Sequence, residues 1–186
     1  MTDEQLVVLA RQGDTSAFGE LVTRHHAAVF RTALTVCRSR DEADEVAQEA
    51  LIQAWRKLAT FRAQAQFKTW LLRIAWRLAI ARRRSVWSRL RRFVDTGADP
   101  PPEPLDAGAS PEGQAASRQL LRAVQQELDH LPARLRAPLL LAMSGDCTFE
   151  EMAAILGAKT GTLKWRVMHA RQRIKQGLAT RGYEWQ

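Results

Sequence analysis

The chain has 186 residues, 46% of them hydrophobic and 26% charged, and a formal net charge of +8. This is the balance of a globular chain with room for one large or two small domains, and no apolar run approaches the roughly 20 residues that a membrane span needs. The composition therefore excludes a membrane-spanning chain. The excess of basic residues suits a polyanionic partner such as nucleic acid, although a ribosomal or membrane-surface role would produce the same charge.

Three further features indicate a cytoplasmic protein without a metal or cofactor. The first 14 residues place acids before a short apolar stretch, whereas a secretory signal has a basic start and a longer apolar core. The two cysteines, Cys37 and Cys147, lie in different halves of the chain, and neither belongs to the close pair that zinc sites use. His25 and His26 are adjacent and therefore point to different faces of a helix. We expect a reduced, cytoplasmic setting and no bound metal or cofactor.

Apolar residues at helical spacing, without the alternation of strands, predict an all-α fold. In the N-terminal half we expect four helices, at about 3–12, 15–37, 41–58 and 65–84. Their inward-facing candidates are Phe18, Leu21, Val22, Val29, Val36, Val46, Leu51, Ala54, Trp55, Phe67, Trp70, Leu71, Ile74 and Leu78.

The third predicted helix carries a run of acids at its start: Asp41, Glu42, Asp44, Glu45 and Glu49. Acids near a helix N-terminus stabilise the helix through its dipole. The polar face continues through Gln48 to Gln53, however, and an acidic helical face also suits docking to a basic partner. Stabilisation and docking both stay open as interpretations.

The fourth predicted helix is strongly basic. Between Arg62 and Arg92 there are ten Lys or Arg residues and no acid, interleaved with aromatic rings that include Trp70 and Trp76. Basic side chains neutralise phosphates, and exposed rings stack on unpaired bases at about 1–3 kcal/mol per base. A solvated basic face over a core is the alternative, but the absence of acids over this length favours nucleic acid.

A linker of different composition is predicted at 95–114. Residues 95–113 contain five of the seven prolines, five acids and no Lys or Arg. Such a segment cannot bury enough apolar surface to offset the entropy of ordering, and consecutive prolines favour an extended path. The linker divides the chain into predicted domains at 1–94 and 115–186.

The C-terminal domain is predicted to contain a helix-turn-helix. A helix at about 117–130 and another after Pro132 precede the pattern from Thr148 to Glu151, a capping box that begins a helix ending at Gly157. A second helix begins near Thr160. A turn of three or four residues between two short helices is the spacing of a helix-turn-helix.

The second helix of this pair has the charge of a DNA-reading helix. Between Lys159 and Arg181 there are seven Lys or Arg residues and no acid. In a major groove, its early side chains would reach base edges and its arginines would reach phosphates. A helical hairpin with Trp165 or Met168 in its core is the alternative. The sequence has no glycine-rich phosphate loop, nucleophile elbow or paired ligand set, so we do not expect an enzyme.

Three stretches resemble the extracytoplasmic-function sigma factors of bacterial RNA polymerase, a branch of the sigma-70 family. ADEVAQEALIQAWRKLATF (43–61) resembles the helix that grips the clamp of the polymerase largest subunit, and FKTWLLRIAWRLAIARRR (67–84) is similar to the helix that melts promoters and reads the minus-10 element. Residues 131–174 resemble the minus-35-reading domain, with motif positions at Gly161, Thr162, Lys164, Arg166, Ala170 and Arg171. Their order and separation make the resemblance specific, and it covers nearly all of the chain except the linker and the ends.

The resemblance implies a two-domain fold, an N-terminal sigma2-like four-helix domain and a C-terminal sigma4-like helix-turn-helix domain, and three sets of functional residues. The core-polymerase-binding set is Asp44, Glu45, Gln48, Glu49 and Gln53. The minus-10 DNA-binding set is Arg62, Lys68, Trp70, Arg73, Trp76, Arg77, Arg82 and Arg83. The minus-35 DNA-binding set is Thr162, Lys164, Trp165, Arg166, Met168, His169, Arg171 and Arg173.

The partners implied by the resemblance are core RNA polymerase, promoter DNA and an anti-sigma factor that can itself be membrane-bound. In the family the segment between the two domains threads toward the polymerase active site. The acidic linker here is equally compatible with that role and with a plain disordered tether. Two other functions stay open. One is a decoy that binds an anti-sigma factor without reading promoters, and the other is a helix-turn-helix regulator that binds a palindromic operator without polymerase.

Two positions depart from the family pattern, since Arg77 and Ala81 stand where members usually carry Asn and Asp. An arginine offers only hydrogen-bond donors, whereas an amide offers a donor and an acceptor. We therefore predict that this chain prefers a different base at the flipped minus-10 position and still binds the minus-10 element. In the family this base is held by the loop between the third and fourth helices, which here is 62–66. Promoter opening by the native chain and by Arg77→Asn on a panel of minus-10 sequences measures this. Identical base preferences would contradict it.

Overall fold

The computed structural model is built of α-helices. It describes residues 1–37, 39–63, 65–93 and 111–183, and of 85–93 and 111–116 it describes the helical backbone only. The helices are α1 (Asp3–Arg11), α2 (Thr15–Leu34), α3 (Arg40–Lys57), α4 (Phe67–Phe93), α5 (Pro111–His130), α6 (Ala133–Met143), α7 (Phe149–Leu156) and α8 (Thr160–Ala179), with a 3-10 turn at Leu58–Thr60. The described residues include no strand, so the predicted all-α class is confirmed.

The main differences from the expected boundaries lie on either side of the predicted linker. Helix α4 extends to Phe93, nine residues beyond the expected end. Helix α5 begins at Pro111 rather than near Ser117, so that 111–114, expected in the linker, are helical. Proline is tolerated there because the amides of a first helical turn have no partner within the helix. The rest of the predicted linker, 95–110, lies outside the described residues.

The first four helices form one core in which α2 packs against α1, α3 and α4. Its fully buried side chains include Leu21, Val29, Val46 and Leu71, as the helical spacing predicted. The expectation for Trp55 is wrong, because its side chain is 38% exposed. Its ring lies against that of Phe18 on α2, with 4.9 Å between the ring centroids.

Helices α6, α7 and α8 pack around Leu135, Leu141, Met152 and Leu163. The predicted capping box is present, since the Glu151 amide donates to Thr148 Oγ1 and the Thr148 amide donates to a Glu151 carboxylate oxygen. Helix α7 ends at Gly157, whose φ of 66° is left-handed. The chain then turns into α8 at Thr160, so the predicted helix-turn-helix is confirmed.

The two halves of the chain contact each other directly. Helix α4 packs against α7, and buried residues of both halves belong to one continuous apolar cluster. Ion pairs also cross the boundary, from Arg31 on α2 to Asp146 and from Arg83 on α4 to Asp129. The helix-turn-helix therefore lies against the basic fourth helix. Among the described residues, no helix is both long and apolar enough to cross a membrane.

The turn of the helix-turn-helix depends on a left-handed residue, and Gly157→Ala tests this. A Cβ at this position meets no atom within 4 Å, so the cost is backbone strain alone. We expect the free energy of unfolding to fall by about 1–2 kcal/mol in a denaturant titration.

The control is Gly19→Ala inside α2, where a Cβ also meets nothing within 4 Å and φ is not left-handed. There the same substitution should stabilise the chain by about 0.5–1 kcal/mol. Equal effects at the two positions would contradict this account of the turn.

Candidate nucleic-acid interface

The acidic face of α3 points to solvent. Glu45, Gln48 and Glu49 are exposed, and Asp44 and Gln53 are partly exposed. Two hydrogen bonds lie on this face, and each joins side chains four residues apart in the sequence. Gln48 Nε2 donates to Asp44 Oδ2 at 2.7 Å, and Gln53 Nε2 donates to Glu49 Oε1 at 3.3 Å. The structure thus brings all five predicted polymerase-binding residues onto one side of the helix.

Two apolar side chains on this face were not among the predicted site residues. Ile52 is 52% exposed, and the exposed part of Trp55 lies three residues further along the helix. Ile52 follows Gln48 by four residues and Trp55 follows it by seven, a spacing that places all three on one side. Exposed apolar groups surrounded by polar ones are typical of protein-binding surfaces. The helical spacing from Gln48 was the signal that would have identified Ile52, whereas the family resemblance already gives Trp55 a matching position on the clamp-gripping helix.

Three of the predicted minus-10 residues are open to solvent. Arg73 and Arg77 lie one turn apart on α4. Arg84, which is outside the predicted set, lies on the same exposed stripe. Arg62 is exposed in the loop before α4. Within the described part of the chain, no carboxylate forms an ion pair with Arg73 or Arg77, so this stripe presents positive charge to solvent.

Three other predicted minus-10 residues are held by carboxylates. Arg82 pairs with Glu45 of the acidic face of α3. Arg83 Nη2 lies 2.7 Å from Asp129 Oδ1, and Lys68 Nζ lies 3.7 Å from Glu151 Oε1. Both Asp129 and Glu151 belong to the C-terminal half. The basic helix is therefore divided into an open stripe and a stripe that faces protein.

Trp70 lines a cavity bounded by the loop before α4, by α4 itself and by Ala154 of α7. Its ring is 5.1 Å from Phe61 and 5.7 Å from Phe67, centroid to centroid. The cavity has a volume of about 220 Å³ and is lined by Thr60, Phe61, Arg62, Ala65, Thr69, Trp70, Arg73 and Ala154. This is below the roughly 300–1,000 Å³ of typical small-molecule sites, so the cavity suits one small group rather than a cofactor.

The loop beside the cavity is strained. Ala63 has a φ of 53°, and it is the one non-glycine residue with positive φ among those the structure describes. A left-handed conformation costs an ordinary residue about 1–2 kcal/mol. Such strain clusters at functional sites, where surrounding structure holds it in place.

Trp76 does not offer the exposed ring that base stacking requires. Its side chain is only 6% exposed, and it lies on the face of α4 that also carries Leu72. The expectation of an exposed aromatic at this position is therefore not met in this conformation. Helical periodicity alone did not predict its burial, because the helix is covered on more than one side.

The predicted minus-35 residues lie on the outer surface of α8, while Leu163, Val167 and Ala170 face the core. Thr162, Lys164, Arg171 and Arg173 are exposed, and Arg166 and His169 are partly exposed. Trp165 and Met168 are 54% and 60% exposed, so neither is the core residue of a plain helical hairpin.

Two contacts order the outer face of α8. The rings of Trp165 and His169 stack with 4.9 Å between centroids and 12° between planes. Lys164 Nζ lies 5.7 Å from the centroid of the Phe149 ring on α7, within the range of a cation–π contact. The first turns of α8 thus present a stacked aromatic pair next to an ammonium group that lies over the Phe149 ring.

Both cysteines are poor nucleophiles and poor ligands. Burial raises the pKa of Cys37 to about 11, with the charge of Glu42 adding to the effect. Burial likewise raises the pKa of Cys147 to about 12, with Glu151 adding to it and Lys68 opposing it. Since the thiolate is the reactive form, the raised pKa of each cysteine disfavours a nucleophilic role near neutral pH.

Comparison with known proteins gives one family for both halves. The profile of Sigma-70 region 2 matches residues 21–97, and that of Sigma-70, region 4 matches residues 121–174. The chain is similar to the ECF RNA polymerase sigma-E factor of Escherichia coli, with 33% identity over 94% of this chain and 93% of that protein.

Two solved structures are similar along most of the chain. One is CnrH in complex with the cytosolic domain of CnrY, with 25% identity, a TM-score of 0.66 and coverage of 96% of this chain and 97% of CnrH. The other is the sigma factor RpoE with the anti-sigma factor NepR from Bartonella quintana, with 23% identity, a TM-score of 0.63 and coverage of 87% and 96%. The similarity to the second structure shows that the two proteins share a fold.

Proposed function

The chain belongs to the extracytoplasmic-function sigma factors of RNA polymerase, and on that premise we propose which of its surfaces bind the core enzyme and which bind promoter DNA. A sigma factor directs the polymerase to promoters, and the catalysis belongs to the polymerase. The observation that carries the proposal is the separation of charge, with a solvent-facing acidic side on α3 and exposed basic stripes on α4 and α8.

The surface of α3 binds the core polymerase. Its carboxylates Asp44, Glu45 and Glu49 attract a basic partner, and Ile52 and Trp55 supply apolar contact in the middle of the charged area. Charged groups chiefly set the rate and specificity of association, whereas buried aromatic residues contribute much of the affinity. A surface of both kinds suits stable binding to one partner.

The open stripe of α4 and the neighbouring loop bind the minus-10 element. Arg62 and Arg73 neutralise phosphates, Arg77 influences which base is preferred at the flipped position, and the cavity beside Trp70 receives that unpaired base. Removing a base from the stack costs a few kcal/mol, so a site that holds the extruded base favours strand opening without any hydrolysis.

The outer face of α8 binds duplex DNA at the minus-35 element. Its arginines reach phosphates, while Trp165 and Met168 meet the base edges of the major groove. The C5-methyl group of thymine is the apolar feature that this groove presents, so the exposed indole and thioether fit a thymine. The His169 ring stacks on the indole and favours this orientation of it.

Neither DNA-binding surface needs high affinity alone. Two weak modules joined by a tether act together once the polymerase fixes their separation, because the second binding event is then intramolecular. Residues 95–110 would provide the tether. We place the protein in the cytoplasm, where its polymerase works, and we propose control by an anti-sigma factor, consistent with the complex in which the similar protein CnrH was solved.

Initiation in a purified system tests this function. The chain is mixed with sigma-free core polymerase and a promoter library, and the transcripts are sequenced. We expect initiation at sites that share two elements at a fixed spacing. Binding to a palindromic operator without polymerase would instead indicate a regulator, and neither activity would indicate a decoy. Either result would contradict the proposal.

Reading of thymine by α8 is tested by replacing each minus-35 thymine with deoxyuridine, which lacks only the methyl group. We expect one replacement to weaken binding of the sigma–polymerase complex about fourfold, the equivalent of roughly 0.8 kcal/mol for one buried carbon. Trp165→Ala should lose this discrimination, whereas the control Arg171→Ala should bind both DNAs more weakly and keep their ratio. The assignment would be contradicted if no single replacement of a minus-35 thymine by deoxyuridine weakened binding of the sigma–polymerase complex.

A further inference from the structure

We infer that helix α1 positions two sides of the cavity that receives the unpaired minus-10 base. Asp3, at the start of α1, orients the ring of His25 against the aromatic side of the cavity, and Arg11, at its end, holds the 3-10 turn that leads into the loop. Neither Asp3 nor Arg11 lines the cavity, so both are positioning residues. The inference rests on the proposed function of the cavity beside Trp70.

Helix α1 is fixed to the N-terminal half by its buried face and by its cap. Leu6, Val7 and Ala10 are buried in the core. Thr2 and Gln5 form a capping box at the start of the helix. Helix α1 contacts α2, the 3-10 turn and α4. It therefore touches both of the elements from which the cavity side chains of the N-terminal half project.

The first support runs from Asp3 to His25. Asp3 Oδ2 lies 2.6 Å from His25 Nε2, and Asp3 Oδ1 accepts a hydrogen bond from Arg24 Nη1 at 3.0 Å. Hydrogen bonds that involve an ionised partner are short and strong, so the carboxylate favours one orientation of the imidazole ring. The side chain of His25 is 12% exposed, and this ring therefore lies mostly inside the protein.

The ring of His25 lies against Phe67, the first residue of α4. The two ring centroids are 5.8 Å apart, and the planes are tilted by 49°. Phe67 in turn contacts Phe61 edge-on at 5.9 Å and Trp70 at 5.7 Å. Tilted and edge-on contacts at these distances are favourable for aromatic rings. His25 thus supports a cluster of rings of which two, Phe61 and Trp70, line the cavity.

The second support runs from Arg11 to the start of the loop. Arg11 Nη2 donates to the carbonyl oxygen of Ala59 at 3.3 Å. Ala59 is the middle residue of the 3-10 turn, and the next two residues, Thr60 and Phe61, line the cavity. The last carbonyl groups of a helical turn have no partner within that turn, so a donor from α1 favours one position of it.

The loop between these two supports is strained and needs to be held. The left-handed conformation of Ala63 persists only where surrounding structure enforces it. The contact between Phe61 and Phe67 joins the two ends of the loop, and α1 acts on both ends, through Arg11 and through His25. A cavity that is formed in only a fraction of the molecules binds its ligand more weakly by that fraction. Loss of the two supports should therefore weaken binding of the base.

The test compares two single-stranded minus-10 oligonucleotides that differ by one base. The full-length chain is used in complex with core polymerase. One oligonucleotide is intact, and the other lacks the base at the position where an abasic site weakens binding by the native chain most. Fluorescence anisotropy gives the ratio of the two affinities, which reports on the base apart from the phosphates. For the native chain we expect a ratio of about tenfold, as for one base stacked on an aromatic ring.

Asp3→Ala combined with Arg11→Ala removes both supports. The double variant loses one negative and one positive charge, so its net charge and its general attraction for phosphates stay the same. We expect the ratio to fall to about threefold, because the cavity is formed in a smaller fraction of the molecules. The affinity for the abasic oligonucleotide should not change. A general loss of folded protein would lower both affinities together.

The matched control is Glu4→Ala, which removes the other acid of the first turn of α1. Glu4 is exposed and forms no ion pair within the described part of the chain, so the native ratio should persist. Arg11→Ala alone repeats the test at an exposed side chain, which keeps it decisive if the double variant does not fold. Arg11→Lys keeps a long, charged donor and should restore most of the ratio. Circular dichroism checks the fold of each variant.

The inference is wrong if the double variant keeps the native ratio, if it weakens binding of both oligonucleotides equally, or if Glu4→Ala lowers the ratio to the same extent. A native ratio near its expected value beside any of these results overturns the positioning role of α1 alone. If no abasic site weakens binding by the native chain, the cavity does not bind a base, and the proposed function of the cavity fails together with the inference.

Discussion

The organisation of this molecule depends on one electrostatic constraint: a buried or half-buried cation needs an anion, and it binds one such partner at a time. The basic side of α4 satisfies this requirement inside the chain, through Glu151 for Lys68 and Asp129 for Arg83. Removing one member of a sheltered pair leaves an uncompensated charge, which costs more than the pair contributes. In the closed arrangement of the two halves, both cations are paired with carboxylates of the C-terminal half.

The helix-turn-helix domain carries opposite charges on its two helices. Helix α7 begins with Glu150 and Glu151, which stabilise its N-terminus, and Glu151 at the same time contacts α4. The described part of α8 carries no acid and presents Lys164 and its arginines to solvent. One small domain thus has an acidic side that suits its own N-terminal half and a basic side that suits DNA.

Local signals in the sequence were sufficient for the helices and for the helix-turn-helix. The capping box at Thr148 and the left-handed Gly157 act within a few residues, so the sequence pattern located α7 and the start of α8 correctly. The start of α5 was missed because Pro111 and its neighbours have the composition of a linker. The burial of Trp76 and the pairs between the two halves were missed for another reason. The two residues of each such pair are 46 to 115 positions apart in the sequence, and local periodicity does not predict contacts over this separation.

The most direct measurement of the closed arrangement is zero-length carbodiimide cross-linking of the free chain, followed by mass spectrometry of the peptides. This reagent joins an amine to a carboxylate that already touches it, and Lys68 Nζ and Glu151 Oε1 are 3.7 Å apart. The account predicts a Lys68–Glu151 cross-link in the free chain that disappears when core polymerase and promoter DNA are bound. Absence of this cross-link from the free chain, or equal yields in both states, would contradict it.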